Sequence, residues 1–185
     1  MIARLFERFR PAPIPTEPPA VVLRDVQLGV LQGVSAVIQP GACVGIIGVN
    51  GAGKSTLLAA LAGVIRPDSG SITGTTGAVY LPEGFRVDPT IPVRRWLTLA
   101  ARLPGWNPEI GGTLIEQMAL PPKVAVRGLS QGQRLRLGLI LTLGRDAPCY
   151  LLDDPFLGLD PVARTHAERW IALSLIHISE PTRRY

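Results

Sequence analysis

Apolar residues along this chain occur in two patterns: short β-branched or continuous runs, and longer segments of helical period. Runs of the first kind predict strands. The longest continuous run, Ala42–Ile47, predicts a strand that is buried on both faces of a parallel sheet. Two later runs, Ser71–Thr73 and Ala78–Leu81, are interpreted as the two strands of a hairpin. The other predicted strands are Ala20–Val26, Val34–Ile38 and Cys149–Leu152.

Helical spacing of apolar residues predicts four helices. The first runs from Lys54 to about Val64, directly after the buried run, and is ended by Arg66-Pro67. The other three are Val93–Leu103, Thr113–Met118 and Gln131–Leu143. Strands and helices in this order predict an α/β fold.

The beginning of the chain has a different composition from the rest. Residues 1–10 place apolar side chains at helical spacing opposite three arginines, which predicts either a basic amphipathic helix on a membrane or partner, or a frayed terminus. Residues 11–19 contain five prolines and predict an extended linker. We therefore expect the globular part to begin near Ala20.

Composition narrows the class of protein. Apolar residues make up 46% of the 185 residues and charged residues 18%, which is enough for a core and excludes a wholly disordered chain. The net charge is +5, of which residues 1–10 contribute +2 and residues 173–185 contribute +1, so the rest of the chain carries only +2 and nucleic acid is not expected as a partner. Cys43 and Cys149 lie in apolar runs and are expected to be core residues of a cytosolic protein. The sequence shows neither a secretory signal nor an apolar stretch of ~20 residues.

A phosphate-binding loop is the strongest chemical signal. The segment Gly48-Val-Asn-Gly-Ala-Gly-Lys-Ser-Thr56 fits the pattern GxxxxGK(S/T) between a predicted strand and a predicted helix. Its backbone N–H groups and the helix N-terminus favour a polyphosphate. Lys54 is expected to reach the β- and γ-phosphates, Ser55 to bind Mg²⁺ and Thr56 to support a phosphate. The loop residues expected to bind the polyphosphate are Gly48, Asn50, Gly51, Gly53, Lys54, Ser55 and Thr56.

An acidic pair follows the last predicted strand. The apolar residues Tyr150–Leu152 end in Asp153 and Asp154, which predicts carboxylates at the C-terminal edge of the sheet, beside the phosphates. Asp153 is expected to hold Mg²⁺ through water. Asp154 is expected to orient or deprotonate the attacking water.

Two further segments carry a family resemblance. Leu129-Ser-Gln-Gly-Gln133 is similar to the LSGGQ signature of ABC (ATP-binding cassette) ATPases, and Leu157-Gly-Leu-Asp160 resembles their D-loop. With the phosphate loop, these elements occur in the family's order. The resemblance implies a P-loop NTPase core with an antiparallel β subdomain and a small helical subdomain that carries the signature. The implied core is 20–85 and 145–172, and the implied helical subdomain is 86–144.

The resemblance also implies how the protein works. Two subunits, alike or different, would dimerise head to tail, with each ATP between the phosphate loop of one and the signature of the other. Ser130, Gly132 and Gln133 would then contact the nucleotide of the partner. Transmembrane permease subunits would hold the ATPase at the inner, cytoplasmic face of the cell membrane.

Four positions depart from the family pattern. Glu83 replaces the usual Gln of the Q-loop, which places a carboxylate near Mg²⁺ and near the catalytic water. Asp154 replaces the usual catalytic Glu; the shorter side chain retracts the carboxylate by ~1.5 Å, a misplacement that can cost roughly a hundredfold in rate. Residues 26–35 contain no aromatic side chain to stack on adenine, and Gln131 replaces a signature Gly.

The C-terminal segment is interpreted as an artefact. Leu173-Ser-Leu-Ile-His-Ile-Ser-Glu-Pro-Thr-Arg183 reads as a translated sequencing adapter, so residues 173–185 are excluded from the fold. His177 is therefore not accepted as the family's switch histidine. His166 is expected on the surface.

Three functions follow from these observations. The leading hypothesis is the ATPase subunit of a membrane transporter. Export is favoured because the segment around Pro104-Gly-Trp-Asn107 is similar to exporter ATPases. The alternatives are a non-transport ABC-type ATP switch, and a truncated fragment with weak or no turnover.

Overall fold

The computed structural model describes residues 19–162, 164–165, 167–169 and 171. Predictions for the amphipathic segment, most of the proline-rich linker, the adapter-like tail and both histidines fall outside these residues. The subdomain boundaries given above stay a prediction.

A three-stranded antiparallel sheet forms the first part of the fold. Strand β1 is Val21–Leu28, β2 is Leu31–Ile38 and β3 is Ser69–Thr73, in the order β2-β1-β3. Leu23 and Val26 on β1 are almost completely buried, because this strand is paired on both edges and covered on one face. This sheet confirms the antiparallel β subdomain.

A two-stranded parallel sheet forms the second part. Strand β4 is Val79–Leu81 and β5 is Tyr150–Leu152. The predicted hairpin is therefore wrong, since β3 pairs with β1 and β4 pairs with β5. Burial explains this pairing. Val79 and Leu81 lie in the core beside β5, where burying their apolar side chains is more favourable in free energy than leaving them in a solvated hairpin.

The predicted strand Ala42–Ile47 is also wrong. The structure assigns no strand there, and all residues from 41 to 50 are exposed, including Cys43, so the core prediction for that cysteine fails as well. Among the described residues, no strand lies beside this segment to pair its backbone. Apolar composition alone cannot bury a strand that has no neighbour.

Four helices complete the labelled elements: α1 (Lys54–Leu61), α2 (Val93–Ala100), α3 (Pro108–Met118) and α4 (Gln131–Leu143). The bounds of α4 are those predicted. Helix α3 begins earlier than predicted because the Asn107 side chain accepts hydrogen bonds from the N–H groups of Glu109 and Ile110, both at 3.1 Å. Described residues between 161 and 171 form a further helical segment.

The core has its centre on α4 and β5. Leu137, Leu139 and Ile140 of α4 are fully buried. On β5, Leu151 packs into the cluster beneath β1, while Tyr150 and Leu152 pack toward α4. The strand is thus held from both faces, which fixes the position of the acidic pair that follows it.

Candidate nucleotide-binding site

The phosphate loop ends in a glycine that its geometry requires. Gly53 is the N-cap of α1 and has φ of 91°, the left-handed region that glycine enters without strain. A Cβ at this position would lie 2.8 Å from Cδ2 of Leu31. No side chain caps α1, so the N–H groups of its first turn are open to an anion.

Lys54 lies across the inside of this loop. Its Nζ donates to the carbonyl oxygens of Gly48 at 2.9 Å and Val49 at 3.0 Å. The half-buried ammonium is thereby held in the curve of the loop, where it can exchange these carbonyls for phosphate oxygens.

Ser55 and Asp153 are 98 residues apart in sequence but are in contact in the structure. The Ser55 hydroxyl donates to Oδ1 of Asp153 at 3.1 Å, and the backbone N–H of Asp153 donates to the carbonyl of Leu81 at 2.9 Å. Asp153 is only 6% exposed, so its carboxylate is held by hydrogen bonds within the protein rather than solvated. A hydroxyl and a carboxylate are the oxygen ligands that Mg²⁺ prefers, so these two residues fit the ion.

Tyr80 joins this pair and was missed by the sequence reasoning. Its hydroxyl donates to Oδ2 of Asp153 at 3.5 Å. Burial raises the pKa of the Tyr80 phenol, and the carboxylates of Asp153 and Glu83 raise it further, so the hydroxyl keeps its proton. Tyr80 pairs with Leu151 in the parallel sheet, and Asp153 lies two residues after Leu151, on the same face. Tyr80 is therefore close to Asp153. The predicted hairpin did not pair β4 with β5, so the sequence offered no reason to place Tyr80 beside Asp153.

Asp154 and Glu83 lie on the exposed side of the same edge. Asp154 has φ of 44°, an uncommon conformation for a residue with a side chain, which turns the chain sharply after β5. Glu83 follows β4 and is exposed. Among the described residues, neither carboxylate makes a hydrogen bond to Ser55 or Asp153, so both are left free to act on a ligand.

The signature turn is closed by its own side chains. Ser130 is the N-cap of α4, and its hydroxyl accepts from the N–H of Gln133 at 3.2 Å. In the reciprocal hydrogen bond, Oε1 of Gln133 accepts from the N–H of Ser130 at 3.0 Å. This capping box fixes the start of α4 and leaves Ser130 exposed at the surface.

The D-loop packs against the signature turn of the same chain. A Cβ on Gly132 would lie 2.9 Å from the carbonyl oxygen of Gly158, so only glycine allows this approach. Arg136 donates to Oδ2 of Asp160 at 2.9 Å and ties the end of the D-loop to α4. Sequence reasoning missed Arg136, because only the packing of α4 brings it to the D-loop.

Comparison with known proteins places these motifs in a family context. A family profile described as ABC transporter matches residues 31–157. The chain is similar to the cytochrome c biogenesis ATP-binding export protein CcmA of Hyphomonas neptunium, with 32% identity over 163 residues, 87% of this chain and 83% of that protein. It is also similar to the zinc import ATP-binding protein ZnuC of Pseudomonas fluorescens, with 33% identity over 146 residues, 76% of this chain but only 55% of that protein.

The fold has a close counterpart among solved structures. An ABC transporter ATP-binding protein from Pyrococcus furiosus superposes with a TM-score of 0.73 at 29% identity, over 85% of this chain and 86% of that one. In the part of the chain that the structure describes, no helix is long and apolar enough to cross a membrane.

Proposed function

The chain belongs to the ABC transporter family, whose ATP-binding domains are ATPases. We therefore propose that the protein binds Mg·ATP at the phosphate loop and hydrolyses it to drive a membrane transporter. One observation carries the proposal: the hydrogen bond between Ser55 and the buried carboxylate of Asp153. It joins the phosphate loop to the end of β5 and makes a single site of two distant motifs.

Each group in the site has a role in binding. Lys54 and the open N–H groups of α1 hold the phosphates, since charge-assisted hydrogen bonds to an anion are among the strongest in proteins. Ser55 and Asp153 would hold Mg²⁺, and Tyr80 fixes the second oxygen of the carboxylate. When bound, the ion neutralises charge on the phosphates during transfer.

Hydrolysis requires a carboxylate that positions water. Asp154 lies one residue beyond Asp153 at the exposed edge, and we assign it to this role, with Glu83, in the turn after β4, as a second carboxylate. The Asp154 side chain is one methylene shorter than the family's Glu. We therefore expect turnover to be slow even in an intact dimer.

A second subunit completes the proposed site. Ser130 is exposed and the Ser130–Gln133 turn is rigid, so it is suited to receive the γ-phosphate of a nucleotide on a partner subunit. Among the described residues, no hydrogen bond joins this turn to the phosphate loop of its own chain. We infer a head-to-tail dimer in which each ATP is shared.

The proposed cellular role is transport at the inner face of the membrane. Permease subunits would supply the membrane crossing and select the cargo, and the helical subdomain would contact them. Export is the favoured direction because the segment around Pro104-Gly-Trp-Asn107 is similar to exporter ATPases; the relatives include both export and import proteins.

The chain offers a clean test, because Lys54 and Lys123 are its only lysines. Binding of a fluorescent ATP analogue should be lost in Lys54→Ala and retained in Lys123→Ala, since Lys123 is exposed in a loop before the signature. Equal binding by both variants would remove the phosphate loop from the proposal.

A further inference from the structure

Gln131 is a departure from the family pattern that the proposed function does not use. It is the first residue of α4, directly after the N-cap Ser130, and it is exposed. The capping box is made by Ser130 and Gln133 alone, so the start of the helix does not need a long side chain at this position. The side chain of Gln131 is therefore available to contact another part of the chain.

The Gln131 side chain lies over the backbone of the D-loop at Gly158. A Cβ built on Gly158 would lie 2.9 Å from Cδ of Gln131 and 3.1 Å from its Cγ, which is closer than two carbon atoms in van der Waals contact. Gly158 also has φ of 79°, a conformation that residues with a side chain rarely adopt. The glycine thus leaves a space that the glutamine occupies.

The first turns of α4 hold the D-loop at two more points. Gly132 allows the carbonyl oxygen of Gly158 to approach closely, and Arg136 binds the carboxylate of Asp160. Of these residues of α4, Gln131 is the one at a position where the chain departs from the family pattern. Its contact with Gly158 therefore does not follow from that pattern.

The beginning of the D-loop is joined to Asp154. The N–H of Leu157 donates to the carbonyl oxygen of Asp154 at 3.1 Å, and the N–H of Leu159 donates to that of Phe156 at 3.2 Å. Phe156 packs against the core, whereas Leu157 is 47% exposed, so the outer side of this turn is held by the contact at Gly158. Asp154 has φ of 44°, a conformation that persists only where the surrounding structure holds it.

We propose that Gln131 is a positioning residue: its side chain holds the D-loop at Gly158 and, through the turn from Asp154 to Leu157, fixes the place of the Asp154 carboxylate. The inference rests on the role proposed above for Asp154. A carboxylate that is one methylene short has less reach, so turnover depends more strongly on where the backbone holds it. Two departures from the family pattern, Gln131 and Asp154, are thereby linked.

Amide hydrogen exchange, followed residue by residue by NMR on the full chain without nucleotide, tests the contact itself. Gln131→Ala removes the side chain beyond Cβ and keeps a good helix former, whereas Gln131→Met keeps an unbranched side chain that still covers Gly158. The amides of Leu157 and Leu159 should exchange roughly fivefold faster in Gln131→Ala, because lost van der Waals contacts make local opening more frequent. They should exchange as in the parent in Gln131→Met and in the control Gln39→Ala, which truncates an exposed glutamine after β2.

Steady-state kinetics separate positioning from a direct contact with nucleotide. Misplacement of the Asp154 carboxylate lowers kcat and leaves the KM for ATP unchanged. Gln131→Ala should therefore lower kcat several-fold, and Gln131→Met should restore it. The same substitution should lower kcat less in an Asp154→Glu background, since a longer carboxylate depends less on the backbone that carries it.

Three results would overturn the proposal. They are unchanged exchange at Leu157 and Leu159 in Gln131→Ala, an equal defect in Gln131→Ala and Gln131→Met, and a raised KM with unchanged kcat, which would assign Gln131 to the nucleotide of a partner subunit. The exchange experiment contains no ATP. A parent protein that binds ATP without hydrolysing it would instead overturn the role of Asp154, which is a failure of the proposed function and leaves the exchange result standing.

Discussion

The phosphate loop and the signature turn are two glycine-containing helix starts that are built in opposite ways. The signature turn is closed by Ser130 and Gln133, which satisfy each other's backbone N–H groups. The phosphate loop has no side-chain cap, and the segment that leads into it is exposed. The first is complete within a few residues; the second has open donors and depends on distant partners.

This difference separates a structural turn from a binding loop. Where local side chains satisfy the backbone, a substitution changes the stability of the helix before it changes any ligand. Where the backbone is left open, a substitution changes ligand binding directly. Substitutions in the signature turn should therefore change mainly stability, whereas substitutions in the phosphate loop should change ligand binding, and the sizes of the two effects should differ.

The largest effect is expected from the buried carboxylate. Asp153→Asn keeps the shape of the side chain but removes its charge, so Mg²⁺ loses its proposed anchor and turnover should fall by roughly a hundredfold or more. A phosphate-release assay of the purified protein and its variant measures this. Glu116→Gln, which removes an exposed carboxylate on α3, serves as the matched control and should change nothing.

A smaller effect of opposite sign is expected at the next residue. Asp154→Glu restores the missing methylene and should raise turnover, by up to about a hundredfold if carboxylate reach is limiting. Asp154→Asn should lower turnover below that of the parent while ATP binding persists. Undiminished turnover in the Asn variant would exclude Asp154 from catalysis.

In the signature turn, Ser130→Ala should lower the stability of the protein. Loss of the N-cap is expected to cost about 1 kcal/mol of unfolding free energy, measured by urea denaturation. Ser130→Asp retains a capping oxygen and should restore most of it. Nucleotide binding by the monomer should be unchanged in both variants, since Ser130 contacts a nucleotide only across the proposed dimer. A binding defect equal to that of Lys54→Ala would show that the two regions are not independent.

The smallest effect is expected for Tyr80→Phe. Removing the hydroxyl frees one oxygen of Asp153 and should weaken Mg²⁺-dependent ATP binding a few-fold, without affecting binding in EDTA. Because the pKa of the Tyr80 phenol is raised, it stays protonated at neutral and mildly alkaline pH. The variant and the parent should therefore show the same pH profile across that range; a change of profile would mean that the phenol ionises there.

Sequence reasoning succeeded where the structure is determined locally. Helix α4 has the predicted bounds because its capping box and its apolar period are written in consecutive residues. The phosphate loop and the acidic pair could likewise be predicted from their motifs, and the structure brings Ser55 and Asp153 together.

Sequence reasoning failed where partners are distant. The hairpin was wrong because nothing near Ser71–Thr73 specifies that β3 pairs with β1 while β4 joins β5. The strand at Ala42–Ile47 was wrong because, among the described residues, no strand lies beside this segment to pair its backbone. Tyr80 and Arg136 were missed since only the packing of β4 and α4 gives them their contacts.

Ser55 and Asp153 are proposed to bind Mg²⁺ and so to hold ATP at the phosphate loop. The most direct measurement is the equilibrium affinity for ATP, with Mg²⁺ and with EDTA, of the parent and of Ser55→Ala, with Ser69→Ala on β3 as control. We expect Mg²⁺ to tighten ATP binding in the parent and the control but not in Ser55→Ala, whose affinity in EDTA should stay that of the parent. An equal gain from Mg²⁺ in all three proteins would contradict it.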